Sequence, residues 1–358
     1  MLIPVGGTIC SAKKSEGTLS VSEKAGSLLK SYFENSDSVY ASKCRIDIGE
    51  NLFILSENMT VDKWNLIIES YRKNVLEKDY DGVIIAHGTD TLAYSAALFS
   101  MLLCGCTIPV FFVSANKSLA SDCSNGNANF RCAAECICRE ISPNVYVPYQ
   151  NPSDGRMYLH LASRITQCQN YSEDFFSRGA IDMTEVTEKN YAEVFAGLNK
   201  LYPADKRKPF FDISEKTVLK DCVLKIEPYV GINYDAYDYS KFSAVLHGSY
   251  HSGTACVQKT MSAPEYGKES VLHMIDICTS LTPAVDTYIS PSKLTGDVYE
   301  TTAIFANHKG TNGKKAKLIY GYTAEMAYAK LVIAYSLLEA AEDRKLFINS
   351  ECNFEIIA

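Results

Sequence analysis

Long hydrophobic runs are missing from this 358-residue chain, and none approaches the roughly 20 consecutive apolar residues that span a bilayer. Runs such as residues 98–113 are broken by Ser100, Gly105 and Pro109. The opening MLIPVGGTIC has no basic segment and no leader-like apolar stretch, so secretion is not expected. There is no basic stripe, and a net charge of −7 works against a phosphate-tracking surface. Neither nucleic acid nor a membrane is therefore an expected partner. The 13 cysteines never form a C-x-x-C pair; Cys104/Cys106 and Cys136/Cys138 are C-x-C pairs inside apolar segments, which is not zinc spacing. They read as reduced, mostly buried thiols of a cytoplasmic protein. No G-x-S-x-G elbow occurs, which disfavours a serine hydrolase of the general α/β type. Internal repeats and low-complexity segments are absent too.

What is present is ordinary globular composition, 47% apolar and 22% charged, in a length that suits two domains. Short apolar runs alternate with helical patterns. Strands are predicted at 2–5, 52–55, 82–86 and 108–114, and helices at 61–77 and 89–103. Strands apolar on both faces argue for a parallel sheet covered by helices. A polar stretch beginning YPADKRKP, taken as 202–212, reads as a linker. Beyond it, strands are predicted at 218–226, 243–247 and 271–278, and a long amphipathic helix at 323–341. The predicted architecture is α/β, with a larger N-terminal domain (1–201) on a flavodoxin- or Rossmann-like parallel sheet and a smaller C-terminal α/β domain (213–358).

In an open parallel sheet, ligands lie beyond the carboxyl ends of the strands, so the residues just after each strand are the ones that matter. Gly6-Gly7-Thr8-Ile9 combines a sharp glycine turn with a hydroxyl. His87-Gly88-Thr89-Asp90-Thr91 follows a strand and opens a helix, where Thr or Asp often serves only as a cap. A helix start also offers unpaired N–H groups to a carboxylate, and Asp90 offers a charge to an ammonium. Ser56-Glu57-Asn58-Met59 sets a hydroxyl beside a second carboxylate.

Together GGTI, Ser56-Glu57-Asn58-Met59 and HGTDT resemble the L-asparaginase family of threonine-nucleophile amidohydrolases. Val113-Ser114-Ala115-Asn116, Ser124-Asn125-Gly126, Asn129 and the tail at 322–331 extend the resemblance over essentially the whole chain. It implies hydrolysis of the side-chain amide of L-asparagine, L-glutamine or a relative. Thr8 would attack the amide carbon, with Thr89 and Asp90 in acid–base work. Ser56, Glu57, Asp90 and Gly88 would hold the amino-acid head, and N–H groups around Thr89 and Ala115 the oxyanion. A homodimer or homotetramer, with no metal and no organic cofactor, is implied as well.

Two positions depart from the family pattern. The activating lysine should lie just past a small-small-Arg triplet, but Ala162-Ser163-Arg164 leads to Ile165-Thr166-Gln167. Gln167 takes the place in the most natural register, Arg164 or Thr166 in shifted ones, and none can act as a neutral amine base. Lys117 is the nearest substitute amine, although an exposed loop lysine is the commoner meaning of such a residue. The loop after GGTI has Thr18 where the family usually has a tyrosine, and no tyrosine precedes Tyr32. The related amidotransferase subunit that serves glutamyl-tRNA shares this lack and also favours Ser-Glu-Asn-Met; its usual extra N-terminal domain ranks it second. A rival of another class is a non-catalytic amino-acid binder that keeps the pocket.

Overall fold

The computed structural model describes residues 1–13, 19–215, 217–257, 265–291 and 298–357. Thr18 lies outside these residues. The chain forms two compact units, Met1–Val218 with Glu351–Phe354, and Leu219–Ser350 with Glu355–Ala358.

In the first unit a mainly parallel sheet has the order β1 (Leu2–Pro4), β4 (Val83–Ala86), β5 (Val110–Val113), β6 (Val145–Gln150), β7 (Met157–Leu161), β10 (Ile181–Asp182). The first four strands are parallel, and β7 and β10 join antiparallel. The hairpins β2 (Ser11–Lys13)–β3 (Leu19–Val21) and β8 (Ile165–Thr166)–β9 (Phe176–Ser177) stand apart from the sheet. Strands β4 and β5 are buried along their whole length, which explains their uninterrupted apolar sequences VIIA and VFFV. Successive residues face opposite layers. Phe111 belongs to the cluster under α1 (Ala25–Glu34) and α4 (Gly126–Cys138), where Phe33 and Phe130 meet edge-on at 6.3 Å. Phe112 instead meets Phe99 of α3 (Leu92–Leu102) at 5.3 Å. Helix α2 (Val61–Tyr71) is tied to α3 by the Trp64 indole, which donates to the Ser95 hydroxyl at 2.8 Å, and α5 (Tyr191–Leu201) follows the sheet.

The predicted strand at 52–55 is not one. Phe53 adopts a left-handed conformation (φ 55), with its N–H held by the Asn51 side chain, and this breaks the extended run. The segment still lies along β1: Leu52 N–H donates to Pro4 and Ile54 N–H to Val5. The chain thus leaves β1 toward one side and returns on the other as β4. The cleft between β1 and β4 is the topological switch point. Residues 202–212, expected as a linker, belong to the first unit, where Lys208 N–H donates to the Cys352 carbonyl.

The returning segment 351–354 is anchored by Asn353, which is fully buried. Its amide donates to the Ser100 carbonyl and pairs with Asn144, and its carbonyl accepts from Ser163 Oγ at 2.6 Å.

The second unit has an all-parallel sheet, β11 (Val223–Ile226), β12 (Ala244–His247), β13 (Asp286–Ile289) and β14 (Lys317–Leu318). Helices α6 (Val271–Ser280), α7 (Glu300–Asn307), α8 (Ala324–Leu337) and α9 (Ala341–Asn349) complete it. The predicted strand 271–278 is helix α6: Val271, Leu272, Met274, Ile275 and Cys278 repeat at helical spacing, and Ser270 caps the start. The predicted helix 323–341 ends at Leu337 and is largely buried; Thr323 is its cap.

Within α8, Lys330 is buried and donates to Glu355, also buried, at 2.6 Å, between the rings of Tyr322 and Phe347. Removing one member of such a pair strands the other charge. Lys330→Met should cost about 3–5 kcal/mol in urea unfolding, and adding Glu355→Leu should recover most of it.

Candidate active site

Three chain segments meet at the carboxyl ends of β1 and β4. The turn after β1 places Gly6 (φ 147) and Gly7 (φ 75) in conformations that favour glycine. Between the first two segments the contact is backbone on backbone, a Cβ on Gly7 falling 2.1 Å from the Gly88 Cα, and Gly88 lies in turn against the Ser56 side chain, where a Cβ would fall 2.4 Å from the Ser56 Cβ. Thr8 and Thr89, the residues after these two glycines, are therefore brought to the same place, both half-buried. Among the described residues neither hydroxyl has a hydrogen-bond partner.

Ser56 is spent on the scaffold. Its Oγ accepts from Thr91 N–H at 3.1 Å and pairs with Thr91 Oγ1, which donates to the Ser56 carbonyl at 3.0 Å. This clip fastens the approach to α3 and pairs the Ser56 hydroxyl, expected to hold the amino-acid head, with Thr91. Thr91, the last residue of HGTDT, is the partner that sequence reading missed.

Glu57 and Asp90 are both exposed at this edge. Partial desolvation, and then the charge of Glu57, raises the Asp90 carboxyl above the ordinary carboxylate range. Two carboxylates in one field form a natural seat for an ammonium. The Gly88, Thr89 and Asp90 amides make no backbone hydrogen bond among the described residues, and they precede the 11-residue helix α3. They supply donors for a carboxylate or an oxyanion.

His87 is buried, and desolvation lowers its pKa to about 4, so the ring is neutral at neutral pH. Its Nδ1–H donates to the Gly88 carbonyl at 2.8 Å, which fixes that peptide and removes His87 from acid–base work.

Gln167 does reach the site. Its amide donates to the Thr89 carbonyl at 2.7 Å and accepts from Ala93 N–H at 3.3 Å, bridging the first turn of α3. Arg164 does not: it points to the returning tail, donating to the Phe354 carbonyl and lying over the Tyr202 ring. Lys117 is exposed on its loop, with its backbone carbonyl held by Ser124. Ala115 is buried after β5 and closely faces Gly126. Around it three asparagines fasten the strand ends. Asn116 and Asn125 exchange backbone-to-side-chain bonds at 2.9 and 3.1 Å, and Asn129 joins the Ser114 carbonyl to Gln150 N–H.

The family model described as "Asparaginase, N-terminal" matches residues 1–197, and the chain belongs to the asparaginase family. Among sequence relatives, a subunit of the glutamyl-tRNA(Gln) amidotransferase of Methanosarcina acetivorans is 32% identical over 123 residues, 34% of this chain and 28% of that protein. The corresponding protein from Methanothermobacter thermautotrophicus is 28% identical over 192 residues, 51% of this chain and 40% of that one. The chain thus spans well under half the length of these two relatives. In fold, the chain is similar to the thermostable L-asparaginase from Thermococcus kodakarensis (TM-score 0.70, 18% identity, covering 100% of this chain and 98% of that one). It is also similar to L-asparaginase I from Vibrio cholerae (TM-score 0.65, 20% identity, covering 100% and 98%). Among the described residues no helix is long and apolar enough to cross a membrane.

Two outcomes test this geometry. Gly7→Ala should destabilise the protein by about 2–3 kcal/mol in urea unfolding, because both the φ and the Gly88 contact forbid a side chain. Glu57→Gln should lower the titration midpoint of Asp90, read from its carboxyl carbon by NMR, because a neighbouring negative charge has been removed.

Proposed function

We propose that this chain is an amidohydrolase of the asparaginase type that acts on the side-chain amide of a small amino acid, L-asparagine or L-glutamine, in the cytoplasm, as a homodimer or homotetramer. The observation that carries the reading is the meeting of Thr8 and Thr89 across the Gly7–Gly88 contact, both hydroxyls unpartnered among the described residues, beside Asp90 and Glu57. Thr8 attacks the amide carbon. The amides at Gly88 and Thr89, with the loop at Ala115, hold the developing oxyanion. Asp90 and Glu57 seat the α-ammonium, and Asp90, whose raised pKa makes it a stronger base than an ordinary carboxylate, relays protons through Thr89. Binding of the ammonium requires ionised Asp90. It therefore weakens as pH falls through the raised Asp90 pKa, earlier than an ordinary aspartate would dictate.

Gln167 supports a second reading, an amino-acid binder that does not turn over. It is bonded at both ends of its amide, does not titrate, and stands where the resemblance calls for a lysine. The names of the sequence relatives add a variant of the first reading, in which the released ammonia is passed to an acceptor.

Ammonia release from L-asparagine and L-glutamine decides between these. Hydrolysis that falls at least about 10²-fold in both Thr8→Ala and Thr89→Val supports the enzyme. Gln167→Lys should then raise turnover, by as much as the roughly 10²–10⁴-fold that a positioned acid–base group contributes. Silence from a folded protein that still binds either amino acid, measured calorimetrically, overturns the enzyme in favour of the binder.

A further inference from the structure

The opposite ends of the same strands hold a second place where a small molecule fits. A cavity of about 430 Å³ opens at the amino ends of β1 and β4. Leu2, Ile84 and Ala134, from the core under α1 and α4, line it, together with Lys43 of the loop after α1 and Glu140 just past α4. Packing sets this wall: a Cβ on Gly82, just before β4, would fall 2.6 Å from Ile137 Cγ1, so the helix end lies directly on the strand start.

Glu140 breaks two local rules. It follows the C-cap of α4 with φ 57, the left-handed position where glycine costs least. The helix closes around it all the same, with Glu140 N–H donating to the Ile137 carbonyl at 3.0 Å and Ile141 N–H to the Cys136 carbonyl at 3.1 Å. Its carboxylate also follows the negative end of a 13-residue helix, where a cation would be favoured. Among the described residues no ion pair or side-chain hydrogen bond of Glu140 offsets either cost. A residue kept against both preferences is expected where function requires it.

The other charges of the wall divide into engaged and free. Arg45 pairs with Asp47 at 3.3 Å. The Met1 ammonium donates to the Gly82 carbonyl at 2.9 Å and offsets the charge of Asp81. Lys43 is exposed and makes no ion pair or side-chain hydrogen bond among the described residues. Glu188, whose carboxylate feels the Lys43 charge, is already held by Arg139 and by the Tyr40 hydroxyl, each at 2.7 Å. Lys43 and Glu140 are thus left, opposite in sign, on the border of an apolar hollow.

We propose that this cavity binds an apolar α-amino acid, its ammonium on Glu140, its carboxylate on Lys43 and its aliphatic side chain against Leu2, Ile84 and Ala134. The ligand brings the cation that the end of α4 favours and an apolar body for the hollow to cover. A molecule carrying only one of the two charges leaves the other protein charge unpaired. The site lies away from the threonine cleft and does not depend on what that cleft does.

Calorimetric titration of the full chain with three probes of one shape tests this: L-leucine, 3-methylbutylamine, which lacks the carboxylate, and 4-methylpentanoate, which lacks the ammonium. Leucine should bind tightest. Glu140→Gly should weaken leucine binding about 10-fold or more while raising the urea midpoint of unfolding, because glycine suits the backbone there. Stability gained together with binding lost is an outcome that a merely structural Glu140 does not give. Lys43→Met should weaken leucine by a similar factor, and Glu57→Gln, at the other end of the strands, should leave leucine binding unchanged. Absence of leucine binding by the wild-type protein overturns the proposal, as does binding untouched by Glu140→Gly and Lys43→Met. Loss of binding in Glu57→Gln, or a one-charge probe that binds as tightly as leucine, overturns it too.

Discussion

The constraint on which the site depends is the backbone contact between Gly7 and Gly88. Two parallel neighbours, β1 and β4, end side by side, and their following turns can touch only because neither carries a Cβ at the point of approach. The threonines after the glycines are placed by that contact rather than by packing of their own side chains. It requires β1 to send the chain away on one side and receive β4 on the other, which is what the segment along 47–54 accomplishes. Fold and site are here one statement: the switch point is where the two turns meet, and glycine is what lets them meet.

Around that contact the polar residues divide into those fastened and those free to act. Ser56 with Thr91, His87 with the Gly88 carbonyl, and the asparagines at 116, 125 and 129 are all engaged in holding strand ends together. Thr8, Thr89, Asp90 and Glu57 are left without a side-chain hydrogen bond among the described residues. Gln167 belongs with the fastened group. An amide can donate to Thr89 and accept from Ala93 at once, whereas a lysine ammonium only donates. The residue that departs from the family pattern is thus better suited to bridging the start of α3 than to moving a proton.

Strands β1, β4, β5 and β12 and the strand-end clusters were legible in the sequence because their signals are local: uninterrupted apolar runs, paired glycines, and hydroxyls next to carboxylates, whereas β6, β7 and β13 were not read. What could not be read depended on partners distant in the chain. Whether the Ser56 hydroxyl is offered or engaged is decided by Thr91, and the direction of Arg164 by Phe354. Two strand assignments failed for separate reasons. A single left-handed residue, Phe53, breaks the extended run at 52–55. In 271–278 a short apolar stretch fits either period, and the Ser270 cap resolves it as a helix.

Asn353 has a consequence for the order in which the molecule can be made. The ribosome delivers residues 1–218 well before Asn353 exists, yet the Ser100 carbonyl, the Asn144 amide and the Ser163 hydroxyl all face the place it fills. Until then these groups must be satisfied by water or by transient contacts, since unpaired polar groups are costly to bury. The first unit is begun before the second, and its final seal waits for synthesis of the second.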